Sequence, residues 1–89
     1  MRAVITVIGK DMVGILAKVS GVCATHSVNI LEVTQSVLQE FFTMIMLVDI
    51  SNATLPLAAF KETLVQSGET MNMRVHVMHE DVFNTMYHI

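Results

Sequence analysis

The chain has 89 residues, of which 53% are hydrophobic and only 15% charged, and its formal net charge is −3. That balance, with a mean hydropathy of +0.59, excludes a disordered polypeptide. Five Lys and Arg residues scattered without a cluster disfavour nucleic-acid binding, which needs a basic field to displace counterions from phosphates.

The length predicts a single domain over 1–89, with a core over 1–80 and a tail over 81–89. The apolar content exceeds what one small core needs, which predicts a buried homo-oligomeric face. No run reaches the roughly 18–20 apolar residues of a membrane span, Phe41 to Val48 being the longest near-continuous one. No signal-peptide pattern follows Met1 and Arg2, and the single cysteine, Cys23, fits a reducing cytoplasm.

Ala3 to Ile8 is β-branched and apolar on both faces, the mark of a central strand. Gly9 breaks it. From Met12 the apolar residues fall at 12, 15, 16, 19, 22 and 23, predicting a helix with Asp11 as its N-cap and an end near His26-Ser27. Asn29 to Leu38 alternates, with Leu31, Val33, Gln35 and Val37 on one face and Glu32, Thr34 and Ser36 on the other. Gln39-Glu40 reads as a tight turn into Phe41 to Ile50, a strand expected to be buried on both faces.

Asn52 or Thr54 is the expected cap of a second helix, with Pro56 in its first turn, Leu57, Phe60 and Leu64 on its inner face and Gly68 at its stop. Met71, Met73, Val75 and Val77 alternate with polar residues in a fourth strand, and Asp81 to Ile89 is amphipathic enough for a short helix. The order β-α-β-β-α-β predicts an α+β, ferredoxin-like sandwich: a four-stranded antiparallel sheet with two helices on one face. The open face must then be covered by a partner chain, by the tail, or by both.

The first strand-to-helix junction holds the richest chemistry. Gly9-Lys10-Asp11-Met12-Val13-Gly14-Ile15-Leu16 joins two glycines and a charged pair to a helix start, whose free N–H groups and dipole attract a carboxylate or phosphate. Asp11 offers a counter-charge to an ammonium. On spacing alone the plainer account, in which Gly9 turns, Asp11 caps and Gly14 permits close packing, is favoured.

The run at 9–16, the Val28-Asn29-Ile30 opening of the second strand and the His79-Glu80-Asp81-Val82-Phe83 tail resemble the ACT domain. They resemble most the stand-alone subgroup related to the ACT regions of the glycine cleavage system transcriptional repressor. The resemblance implies dimerisation and an amino-acid site between two domains. It would be formed by Lys10, Asp11, Met12, Val13, Gly14, Ile15 and Leu16, with Asn29 and Ile30 contributed by the neighbouring domain. With no catalytic domain attached, such a module would act on a protein partner or buffer its ligand.

Other groups give weaker signals. His76 and His79 point to opposite sides of a strand, and no Cys-x-x-Cys or His-Glu-x-x-His spacing is present, so neither a metal nor a cofactor is expected. Cys23 lies on the inward helix face as a core residue, and the serines lack a triad context, so no enzyme is expected. Met44, Met46, Met71 and Met73 read as core or interface packing, and Phe41 and Phe42 lack the basic surroundings of an RNA-stacking pair. The alternative to an amino-acid sensor is a ligand-free dimerisation or protein-interaction module.

Overall fold

The structure is a computed structural model and describes residues 1–10 and 14–86. Its elements are β1 (Arg2–Gly9), α1 (Ile15–Thr25), β2 (Asn29–Leu38), β3 (Phe41–Asp49), α2 (Leu57–Thr70), β4 (Arg74–His79) and α3 (Glu80–Met86). The strands pair antiparallel in one sheet, ordered β2-β3-β1-β4. This is the expected ferredoxin-like fold. The two interior strands are the ones whose sequence is apolar on both faces.

The pleat separates two faces. On one, Ala3, Ile5 and Val7 of β1 stand in register with Val48, Met46 and Met44 of β3 and, on the other side, Val77 and Val75 of β4. Ile15, Val19 and Cys23 of α1, spaced four apart, and Phe60 and Leu64 of α2 close over them into one core. Both helices therefore lie on this face.

The opposite face carries Val4, Thr6 and Ile8, flanked by Leu47, Ile45 and Thr43. Val4 is only 3% exposed because α3 lies over it and brings Phe83 alongside. Ile8 and Ile45 remain exposed, so the tail helix covers only part of the face, and β3 is not buried on both sides as its sequence suggested. Among the described residues, no helix is long and apolar enough to cross a membrane.

Several boundaries differ from expectation, each for a local reason. The first helix begins at Ile15, with Gly14 at φ 78° as its N-cap and no side-chain cap; Asp11 lies outside the described residues. Pro56 is itself the N-cap of α2, so neither Asn52 nor Thr54 caps it. The helix runs through Gly68 to Thr70, and Asn72 at φ 57° makes the left-handed turn assigned to the glycine. The fourth strand begins at Arg74 rather than Met71.

In β2, the pairing of Ile30 with Val48 but Glu32 with Leu47 leaves Leu31 as a bulge. The bulge turns both Ile30 and Val33 toward the helix side, which strict alternation forbids. At the hairpin, Gln39 takes φ 57° between the paired residues Leu38 and Phe41.

Candidate functional site

The junction after β1 leads to the start of α1 at Gly14. The first helical hydrogen bond runs from the Lys18 N–H to the Gly14 carbonyl at 2.8 Å. Among the described residues no side chain caps the first-turn N–H groups of Ile15, Leu16 and Ala17. Gly14 is exposed, and a Cβ added there would meet nothing within 4 Å. The position calls for a glycine through its left-handed backbone, not through close packing. Leu16 is exposed beside it, whereas the Ile15 side chain is fully buried, so only its backbone is available to a ligand.

Lys10 is held at this end of the sheet by an aromatic partner. Its Nζ stands 5.8 Å from the centre of the Phe41 ring, within cation–π range. Phe41 closes the β2–β3 hairpin, so Lys10 and the hairpin tip share one corner. Asp11, Met12 and Val13 fall outside the described residues.

Asn29 is elsewhere. It pairs with Asp49, while Gly9 pairs with Phe42 at the other end of the same strand. Seven strand steps separate these two levels, about 24 Å at roughly 3.4 Å each. Within one subunit the two halves of the expected site cannot meet.

The Asn29 end carries a polar network that pattern reading missed. Asp49 Oδ1 accepts the Ser51 N–H at 2.8 Å and lies 3.8 Å from the Met1 ammonium, which itself donates to Ser51 Oγ at 2.8 Å. These bonds, chiefly those from Ser51, hold the Asp49 carboxyl below its ordinary value, with the Met1 ammonium and Arg2 adding to the effect. Only the strand register places this cluster beside Asn29.

The model of the ACT domain matches residues 2–78. The chain belongs to the ACT domain family. ACT domains are small-molecule-binding regulatory modules. A UPF0237 protein of Clostridium perfringens is 46% identical over 89 residues, the whole of both chains. An ACT domain protein from Streptococcus pneumoniae superposes with a TM-score of 0.82 at 37% identity, covering 98% of each chain. A protein described as a glycine cleavage system transcriptional repressor gives a TM-score of 0.68 at 25% identity, over 85% of this chain and 43% of its own.

The remaining reactive side chains of this ACT domain have structural explanations. Burial pushes the Cys23 thiol up to about 11, so it stays protonated and unreactive near neutrality. His76 pairs with Thr6 on the open face and His79 with Ala3 on the helix face. His79 Nδ1 accepts the Asp81 N–H at 3.0 Å and so caps α3. Among the described residues, no group of three His, Cys, Asp or Glu side chains is gathered as a metal site would require.

Proposed function

We propose that this ACT domain is a homodimeric regulatory module that binds an amino acid at the subunit interface, between the Lys10–Leu16 loop of one protomer and Asn29 and Ile30 of its partner. The observation that carries this reading is the apolar outer edge of the sheet. Leu31, Val33 and Val37 of edge strand β2 are 42%, 39% and 58% exposed, and Leu16 on α1 is exposed as well. A long apolar edge strand with unpaired backbone groups is unfavourable in water unless another strand pairs with it.

Antiparallel pairing of two β2 strands about a two-fold axis joins the separated halves of the site. It sets Asn29 of one protomer level with Leu38 of the other, at the end where Phe41 and Lys10 stand. Three interstrand steps, about 14 Å at roughly 4.8 Å each, then separate the partner's Asn29 from the loop. That gap suits a small zwitterion with its side chains. The first-turn N–H groups of α1 would take the carboxylate, and the Asn29 amide offers both a donor and an acceptor.

The test is a thermal-shift panel of the natural amino acids, run beside a mass measurement of the assembly. The expected result is a dimer stabilised saturably by one or a few amino acids, by about 2.7 kcal/mol at a hundredfold excess over Kd. A folded dimer indifferent to the whole panel would replace this reading with ligand-free dimerisation. A monomer at high concentration would end both.

A further inference from the structure

We propose that the notch between α3 and the open face of the sheet is a second small-molecule site, taking a compact organic amine with an apolar body and no carboxylate. The notch encloses about 190 Å³. Its lining includes Val4, Ile45 and Leu47 of the sheet, Phe83 of α3, and the polar residues Glu32 and Glu80, with Thr34 and Asn84 beside them. Its volume lies below the roughly 300–1,000 Å³ of sites for drug-sized ligands, which restricts it to small molecules.

Charge selects the chemistry. Glu80 is already neutralised, since Arg2 Nη2 lies 2.8 Å from its Oε2 and Arg2 Nε donates to its Oε1 at 3.2 Å. Glu32 has no hydrogen bond or ion pair with any described residue. It pairs across the sheet with Leu47, so a carboxylate unpaired among the described residues borders an apolar floor. An ammonium on Glu32 with its hydrocarbon body on Val4, Ile45 and Leu47 satisfies both features. An amino acid would bring its own carboxylate against Glu32 and Glu80 and is disfavoured. The notch shares strand β2 with the proposed interface but draws its contacts from the open face of one chain, and its ligand is distinguished by the missing carboxylate.

The test is a two-dimensional amide NMR titration of the intact chain with 2-phenylethylamine, run in parallel with phenylalanine. Saturable shifts are expected at Val4, Glu32, Ile45, Leu47 and α3 with the amine and not with the amino acid. Glu32→Gln, a substitution of an exposed side chain, should keep the spectrum dispersed while weakening the amine by about fivefold or more. The proposal is overturned if no saturable shift arises at millimolar amine, if phenylalanine shifts the same amides equally, or if Glu32→Gln leaves the affinity unchanged. Shifts of the Val4 and α3 amides with protein concentration alone would also overturn it, by making the notch itself a self-association surface.

Discussion

Gly68 is pressed against Val75: a Cβ on the glycine would lie 2.5 Å from Val75 Cγ2 and 3.2 Å from the Met73 carbonyl oxygen. The Met73 N–H donates to the Gly68 carbonyl at 2.8 Å, so the end of α2 is tied to the start of β4 at the point of contact. The glycine is there for proximity between helix and strand.

This contact sets opposite signs for two helical glycines. Alanine in place of glycine inside a helix gains about 1 kcal/mol of propensity. At Gly68 the added methyl meets a buried β-branched side chain and backbone, and overpacking of that kind costs about 1–3 kcal/mol. Gly68→Ala should therefore lower stability by about 1–2 kcal/mol in denaturant unfolding. At Gly21, where an added Cβ meets nothing within 4 Å, alanine should raise stability by about 0.5–1 kcal/mol. Equal signs in the two variants would contradict the packing described here.

The pair also marks where sequence reasoning reaches its limit. Strand and helix order was legible because β-branched runs and the 3.6-residue spacing of Ile15, Val19 and Cys23 are local signals. Gly68 was misread as a helix stop because its reason, Val75, lies in another element. Likewise the bulge at Leu31 belongs to the pairing of two strands, and no pattern within β2 alone reveals it. Gly14 was legible as special, but its open surroundings and left-handed backbone were not. The separation of Asn29 from Gly9 follows only from the register on β3.

Gly14 separates backbone cost from ligand contact. At φ 78° any L side chain is strained, by about 1–2 kcal/mol for a non-glycine residue, although space is free. Gly14→Ala should lower the melting temperature of the unliganded protein by several degrees. Gly14→Asn, whose side chain tolerates the left-handed region, should recover part of that loss. If the loop holds the ligand, both variants should weaken amino-acid binding by more than their melting temperatures explain. Isothermal titration beside thermal denaturation separates the two effects.

Asp49 predicts an acid-sensitive contribution to stability. Its carboxyl is depressed chiefly by the hydrogen bonds from Ser51. A depressed carboxyl stabilises the fold above the unfolded carboxylate range, near 3.9, and that contribution is lost as pH falls through the lower folded value. Asp49→Asn should be less stable than the wild type at neutral pH, and the difference should shrink to nothing in strong acid. Urea midpoints across that range test it, and a difference that grows on acidification would contradict the assigned cause.

The edge of β2 is where fold and function can be separated by a single charge. Val33 and Val37 are exposed in the isolated subunit, so lysine at either position leaves the described core intact. Across a β2–β2 interface the same lysines would meet their two-fold neighbourhood of apolar side chains, and edge lysines are a natural device against strand pairing. Each of Val33→Lys and Val37→Lys should raise the dimer dissociation constant by about tenfold or more while circular dichroism stays that of the folded chain. Because the halves of the proposed amino-acid site lie at opposite ends of β3, loss of the dimer should also abolish amino-acid stabilisation, even with every loop residue unchanged. A folded monomeric variant that still binds the amino acid would show that one subunit suffices. Amine binding in the notch beneath α3 should survive in the same variant, since all its contacts come from one chain.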